Sequence, residues 1–166
     1  NQVAGAGRTL DYSVFDKVVA IRNGATETRF DYGVAHQRLR RIDRNDVDGE
    51  RTTWYLDTGD FIETPAGGWF RRRIADVAVV DHYPESDVSE VRYFLRDHAG
   101  SPSVVTDATG LLEGAVWMSF DAFGQRRTAD WAGPPGLEAL VAFNSLTTRG
   151  FTGHEQVNAF GLVNTN

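Results

Sequence analysis

The chain has 166 residues, of which 41% are hydrophobic and 24% are charged, and its formal net charge is −6. This acidic balance disfavours non-specific binding to nucleic acid or anionic lipid, and charges interrupt every apolar stretch, so we expect no membrane insertion. The chain contains no cysteine, which excludes disulfides and thiolate metal sites.

The strongest local signal near the start is the segment FDKVVAIRNGATETRFDY. Its Asn-Gly step at 23–24, between two alternating runs, predicts a β-hairpin closed by a type I′ turn. This register pairs Arg22 with Ala25 and gives the ribbon one apolar and one charged face. It also places Asp16 opposite Asp31, which is unfavourable for two like charges. We therefore expect the pairing to loosen at that end of the hairpin.

Short apolar runs and turn residues continue to alternate along the rest of the chain. Strands are predicted at 52–56, 61–64, 69–83, 91–97, 103–106 and 111–119. Short strands at roughly ten-residue spacing are typical of an all-β fold built from antiparallel hairpins. The segment at 137–146 is different, because its apolar residues follow helical spacing. It is either one short helix or a loop.

An aromatic residue followed by Asp recurs at 15–16, 30–31 and 120–121, and we interpret it as a weak internal repeat. Repeated units that cannot bury their apolar faces alone are expected to stack against neighbours. The chain begins NQVAGAG, with neither an initiator Met nor a signal-peptide pattern, and it ends GLVNTN. We interpret both ends as cut from a longer protein.

An ordered series of turn motifs, YFLRDHAGSPSVVTDATGLLEGAVWMSFDAFGQRR, fills residues 93–127. It resembles the core signature of the Rhs family, the tyrosine-aspartate (YD) repeat proteins. The positions that match are Asp97, His98, Gly100, Ser101, Pro102, Thr106, Asp107, Gly110, Asp121, Phe123 and Gly124. The segment RGFTGHE resembles the next family block, through Gly150, Phe151, Gly153, His154 and Glu155. Ala99 and Phe120 stand where the family usually has Leu and Tyr.

The resemblance implies a fold and a function. Proteins similar to this one wind YD-repeat hairpins into a curved, spiralling β-sheet shell that encloses a toxic C-terminal polypeptide, and the core block closes one end. Such a chain would be secreted or delivered by a bacterial secretion system, or displayed at the cell surface. Its expected partners are the remainder of its own longer chain and the toxin cargo.

The resemblance also divides the chain into four stretches of one continuous shell fragment. They are 1–48, degenerate YD-repeat hairpins; 49–90, a β-hairpin region; 91–127, the core signature; and 128–166, a truncated associated block. The family's self-cleavage motif, Asp-Pro-x-Gly-Leu, has no match here, since the sequence contains no Asp-Pro step. The family's His-Met-Asn-Gly-Arg after Gly161-Leu162 is replaced by 163–166, VNTN.

The Asp97-His98 pair raises the question of an acid–base site. Adjacent strand residues point to opposite faces, so the two side chains are expected to diverge. We favour a structural role, in which Asp97 caps the turn that contains Gly100. The other histidines, His36, His82 and His154, fall in no metal-ligand spacing. We therefore predict structural turns with no catalytic residue, metal or cofactor.

Two other functions stay open. The segment WYLDTGD resembles the loop of aspartic proteases, in which two carboxylates share one proton, so Asp57 is a candidate for a homodimeric protease. Asp-Thr-Gly is equally a good β-turn. The tryptophans Trp54, Trp69, Trp117 and Trp131 are candidate ligand platforms. They would suit an extracellular YD-repeat module that binds carbohydrate or protein.

Overall fold

The computed structural model describes residues 4–5, 7–46 and 49–164. Its strands are β1 Ala4–Gly5, β2 Arg8–Tyr12, β3 Val18–Asn23, β4 Thr26–Tyr32, β5 Arg38–Asn45, β6 Gly49–Leu56, β7 Gly59–Thr64, β8 Gly67–Ile74, β9 Ala78–Tyr83, β10 Val88–Arg96, β11 Pro102–Thr106, β12 Val116–Trp117, β13 Ser119–Phe120, β14 Arg126–Arg127, β15 Glu155–Val157 and β16 Leu162–Asn164. Helix α1 spans Leu137–Leu146, and short 3₁₀ turns lie at Phe151–Gly153 and Asn158–Phe160. No helix among these residues has the length and apolar character that crossing a bilayer requires.

The all-β class and the short helix are confirmed. Strands β1 to β12 are ordered in sequence along an antiparallel sheet, and β13–β14 and β15–β16 form two-stranded ribbons. Neighbours in sequence are thus neighbours in the sheet, which is the connectivity of successive hairpins. The chain divides into two compact units. Unit 1 runs to Arg72 and includes Asp81–Ser89; unit 2 contains Arg73–Val80 and the chain from Glu90 onward.

The β3–β4 hairpin in unit 1 forms, but its predicted register is wrong. Arg22 lies opposite Glu27, not Ala25, and the tight turn is centred on Gly24 and Ala25. Gly24 has φ of 58° and is the first central residue of this turn, a position that favours glycine. The shift of two residues keeps the paired side chains of 20–23 and 26–29 on their predicted faces. The expected like-charge pair does not form, because Asp16 lies in the turn that precedes β3 and is not part of the paired strand.

Two predicted strands are divided in the structure. The run 69–83 is split into β8 and β9 by a turn at Ala75–Val77, where the N–H of Val77 donates to the carbonyl of Ile74 and Ala75 is left-handed. The run 111–119 forms only the short strands β12 and β13, because Gly114 adopts a left-handed turn conformation with φ of 76°. The sequence offered two turn signals, the Ala-Asp step at 75–76 in the first run and the isolated Gly114 in the second.

One sheet face of unit 1 is buried and carries charged as well as apolar side chains. Thr28 donates its hydroxyl to Asp43 at 2.6 Å, and the buried Arg41 donates to the same carboxylate. Arg71 forms two parallel hydrogen bonds to Asp81, at 2.7 and 2.6 Å, with side-chain exposures of only 4% and 1%. Charges are tolerated on this face because they are paired.

Unit 2 has a small apolar core that α1 covers. Val79, Phe94, Val105, Met118 and Phe143 form its buried cluster. The helical spacing predicted for 137–146 is real, since Leu140 and Leu146 lie one turn on either side of Phe143 and pack against the same cluster. Gly136 precedes the helix, and its carbonyl accepts the N–H of Leu140.

Candidate functional site

Within the described ranges, five loops share one backbone design, a five-residue turn. In each, the N–H of the first residue donates to the carbonyl of the fifth, and the N–H of the fourth donates to the carbonyl of the first. The fourth residue is left-handed in all five, with φ between 60° and 84°. This is a hairpin connection in which a left-handed residue follows a type I turn. The five turns are residues 13–17, 33–37, 97–101, 121–125 and 150–154.

These turns are the structural repeat of the chain, and the aromatic-Asp step is not. Residues 15–16 lie inside a turn, 30–31 lie within β4, and 120–121 join β13 to the fourth turn. The dipeptide therefore occupies three different environments. The turn itself is hard to recognise in sequence because its left-handed position holds Asp16 and His36 in the first two copies and glycine in the others.

Asp97 and Asp121, both predicted motif residues, close their turns in the same way. One carboxylate oxygen of each accepts the N–H groups of the third and fifth turn residues, at 2.8–2.9 Å. Ser13 repeats this arrangement more weakly, at 3.3 Å. A short polar side chain at the first position thus satisfies N–H groups that the turn leaves unpaired.

Hydrogen bonds to the capping carboxylates lower the pKa values of Asp97 and Asp107. Partial burial raises the pKa of Asp97, but the N–H donors of Ser101 and Ala99 outweigh it and hold the pKa below its ordinary value. The hydroxyl and N–H of Thr109 likewise lower the pKa of Asp107. Gly110, the left-handed residue of that turn, donates its N–H to the carbonyl of Asp107.

His98 occupies the exposed second position of its turn. Oδ1 of Asp97 accepts two N–H groups of the turn backbone, from Ala99 and Ser101. The imidazole acts on Asp97 through its charge, which helps to lower the pKa of that carboxyl. The geometry therefore supports the capping interpretation of Asp97.

Three of the predicted turns meet in unit 2, and we call residues 97–101, 121–125 and 150–154 the turn cluster. Ser101, fully buried, accepts the N–H of Thr152 on its hydroxyl oxygen at 3.0 Å. Gln156 donates its amide to the carbonyl of Gly124 at 3.1 Å. Residues 51 and 32 positions apart in the sequence are thus joined by direct hydrogen bonds, which the motif pattern alone did not reveal.

Glycine is required in the turn cluster for space as well as for conformation. A Cβ on Gly124 would lie 2.9 Å from the ring of Phe151, and one on Gly150 would lie 2.4 Å from Gln156. Contacts under 3.0 Å cannot form without displacing the neighbour. Thr152, beside Gly153, is itself left-handed with φ of 50°, and its hydroxyl contacts His154 Nδ1 at 2.6 Å.

Pro102 and Glu155, the remaining predicted motif residues of these blocks, flank two of the turns. Pro102 is buried and pairs with Arg96 across the first of them, and Glu155 pairs with Arg149 across the last. Phe123 differs from its neighbours in the turn cluster. Its side chain is 90% exposed at the tip of the turn 121–125.

Sequence reasoning missed Arg126, which forms hydrogen bonds to residues on both sides of the turn 150–154. Arg126 is 3% exposed, and its guanidinium donates to Asn158 Oδ1 at 3.0 Å and to the carbonyl of Arg149 at 3.1 Å. It also lies over the rings of Phe120 and Phe143, at 5.1 and 5.2 Å. Burial lowers the pKa of Arg126 to about 10, because the charged form loses its hydration.

The Asp57 site lies in unit 1, at the tip of the β6–β7 hairpin. Asp57 and Thr58 are exposed, and the strands on either side pair Leu56 with Gly59. An aspartic dyad works inside a water-restricted cleft, so here a second chain would have to cover the tip. In the described part of the chain, no three His, Asp or Glu side chains converge to hold a metal ion.

The tryptophans of unit 1 lie on opposite faces of its sheet. Trp54 pairs with Phe61, which pairs with Phe70, on the exposed face, whereas Trp69 pairs with the buried Ile62. Trp54, Phe61 and Phe70 form an aromatic row across β6, β7 and β8, with the Phe61 and Phe70 rings 4.8 Å apart. These two tryptophans therefore do not share one platform. In unit 2, Trp117 and Trp131 are both exposed.

Comparison of the chain with protein-family models and with curated protein sequences gave no match.

Proposed function

We propose that the chain is a structural segment of an Rhs-type shell, a YD-repeat protein that encloses or presents a C-terminal toxin. The supporting observation is the recurrence of one five-residue turn, which in three of its five described copies joins strands that follow each other in the twelve-stranded sheet. Each such turn returns the chain beside the preceding strand. Further hairpins joined by this turn would therefore lengthen the β-sheet without any new type of packing.

The turn cluster supports the same proposal. The resemblance assigns the closing of one shell end to the core block, and a closing element must resist being pulled apart. A hydrogen bond between two turns, at Ser101–Thr152, and one from β15 to a turn, at Gln156–Gly124, supply that resistance. In this proposal the chain acts in competition between bacteria after delivery by a secretion system, and its partners are the rest of its own longer protein and the cargo.

Protection of the cargo tests the proposal. The complete product of the gene that contains this chain is treated with a protease, and survival of the segment downstream of the shell is followed by mass spectrometry. We expect protection in the parent and loss of protection in Gly124→Val, which disrupts the turn cluster. Gly133→Ala is the matched control, because a Cβ there meets nothing within 4 Å. A cargo digested as fast in the parent as in the variant would refute the shell.

A second candidate is an extracellular binding module, which the exposed aromatic row favours. Arg40 lies over Trp54 at 5.0 Å and is paired with Asp31, so polar groups border the rings. Aromatic faces bordered by hydrogen-bonding groups are suited to carbohydrate. Binding on a glycan array that is lost in Trp54→Ala and kept in Trp131→Ala would support the module. Equal loss in both variants would contradict it.

A further inference from the structure

The sequence predicts the Asn23-Gly24 step as the turn of the first hairpin, and the structure divides that step between a strand and a turn. Asn23 is the last residue of β3 and pairs with Thr26, whereas Gly24 is the first central residue of the turn. Asn23, Gly24 and Ala25 are all exposed. Asparagine is a chemically labile residue, and its side-chain amide lies within reach of the next backbone nitrogen. The position therefore raises the question of a reaction between the two residues.

The backbone nitrogen of Gly24 is available as a nucleophile. The last pair of the hairpin joins Asn23 to Thr26, so the β-ladder leaves out the N–H of Gly24. Among the described residues, this N–H has no hydrogen-bond partner. A Cβ built on Gly24 would meet nothing within 4 Å, so the space around the residue is open. Glycine itself has no side chain that would hinder the approach of the amide.

The structure distinguishes Asn23 from two asparagines of unit 2. Asn158 is 6% exposed, and its amide accepts from Arg126 at 3.0 Å and donates to Asn144 Oδ1 at 2.6 Å. Asn144 also lies inside α1, where backbone N–H groups are used by the helix. These two amides cannot turn toward the following nitrogen without losing their bonds. The side chain of Asn23 has no hydrogen bond to any described residue.

We propose that Asn23 is a site of spontaneous deamidation. The Gly24 nitrogen loses its proton to hydroxide and attacks the side-chain carbonyl carbon of Asn23. A new C–N bond forms, and the bond to the side-chain nitrogen breaks and releases ammonia. Water then opens the resulting five-membered succinimide at either of its two carbonyl carbons, which gives aspartate or isoaspartate. The reaction needs only water and hydroxide, and it does not depend on the proposed shell function.

The hairpin controls how readily the ring closes. Closure requires rotation of Asn23 out of its strand conformation, and this rotation breaks only the terminal pair with Thr26. Pairs at the end of a hairpin open at little cost in free energy. Isoaspartate then adds a carbon atom to the backbone directly before a two-residue turn, whose length sets the register of the strands. We therefore expect faster amide hydrogen exchange at Thr26 in the isoaspartate product than in the parent.

Incubation of the folded chain in mildly alkaline buffers, followed by peptide mapping, tests the proposal. Deamidation replaces an amide NH₂ by OH and raises the peptide mass by about 1 Da, and protein isoaspartyl methyltransferase labels the isoaspartate. We expect conversion at Asn23 to accelerate about tenfold for each pH unit, because the deprotonated fraction of the Gly24 nitrogen rises in that proportion. The peptide that contains Asn144 should stay unmodified in the same digest.

Two variants separate the effect of the dipeptide from the effect of its surroundings. Gly24→Ala should slow conversion about tenfold, because the added methyl group crowds the closing ring. Ser145→Gly gives Asn144 a following glycine inside α1, and Asn144 should still stay unmodified. Circular dichroism verifies that each variant folds, and the chain unfolded in urea gives the intrinsic rate at each asparagine. The rate at Asn23 in the folded chain should lie within about tenfold of its unfolded rate.

Three results would overturn the proposal. The first is an Asn23 that stays intact in the folded chain under conditions that convert it in urea. The second is equal conversion of Asn23 in the parent and in a folded Gly24→Ala variant. The third is conversion of Asn144 as fast as Asn23 in the folded Ser145→Gly variant, because the dipeptide alone would then decide the reaction.

Discussion

The buried ion pair between Arg71 and Asp81 gives the most direct test of the fold. Asp81→Asn keeps the shape of the side chain but removes its charge, so the Arg71 guanidinium remains buried beside a neutral amide. Both hydrogen bonds of the pair are short, at 2.7 and 2.6 Å, and both side chains are less than 5% exposed. Removal of one partner from such a pair costs about 3–5 kcal/mol, a large part of the 5–15 kcal/mol that typically stabilises a domain.

The same change at an exposed pair provides the control. Arg44 and Glu50 lie 2.6 Å apart, but their side chains are 50% and 47% exposed. Water and salt screen such pairs, so Glu50→Gln is expected to change stability by no measurable amount. The two ion pairs have the same N···O distance of 2.6 Å and similar residue types, so they differ mainly in burial.

Urea unfolding followed by tryptophan fluorescence measures both effects. The background Trp117→Phe with Trp131→Phe removes the exposed fluorophores of unit 2, so the signal reports unit 1. With an m-value of about 2 kcal/mol/M, Asp81→Asn should lower the midpoint by about 2 M.

If Asp81→Asn shifts the midpoint no more than Glu50→Gln, the reasoning from burial is wrong.

Three further predictions concern unit 2. Gly124→Val should lower the free energy of unfolding by about 2–4 kcal/mol through left-handed strain and overpacking, and Gly133→Ala by less than about 0.5 kcal/mol, both measured by urea unfolding. Arg126→Met should have a higher melting temperature than Arg126→Ala, because Met fills the space of the arginine whereas Ala leaves a cavity. Both changes remove a buried charge whose desolvation costs roughly 3 kcal/mol. Equal melting temperatures would contradict this. The pKa of Asp97 is lower in the folded state, so its contribution to stability is present above the unfolded pKa and is lost as pH falls through the folded pKa. Asp97→Asn, which retains the accepting oxygen, should flatten the acid side of a stability–pH curve measured by circular dichroism.

The alternation of apolar and polar residues predicted most of the strands, because a strand with one buried face must alternate. It failed at turns that lie inside predicted strands, at Asp16, at Ala75 and at Gly114. Ala75 and Asp16 both adopt left-handed backbone, and alanine rarely does so, whereas aspartate tolerates it without requiring it. Local propensity could not locate these turns, because pairing of the flanking strands over-determines the backbone there.

The candidate site was predicted only in part, for a similar reason. The motif residues Asp97, Asp121 and Gly124 mark turns, and each turn forms from local hydrogen bonds that a sequence pattern can encode. The meeting of those turns depends on Arg126 and Thr152, whose partners are far away in the chain. Contacts over such separations leave no periodic signal in a single sequence.

Cross-strand charge is the signal that would have corrected the register of the first hairpin. Hydrophobic alternation has a period of two, so it rejects a slip of one residue but tolerates a slip of two. The observed register of β3–β4 gains the Arg22–Glu27 pair, at 2.6 Å, which the predicted register lacked.

Cross-strand charges also determine the register of β4 against β5. The observed register pairs Asp31 with Arg40 and Glu27 with Arg44. A slip of two residues in one direction would place Arg29 opposite Arg40. A slip of two residues in the other direction would place Glu27 opposite Asp46. Exposed ion pairs add little to stability, but like charges placed directly opposite destabilise a pairing. In this chain the exposed charges therefore act mainly by excluding the registers that alternation would allow.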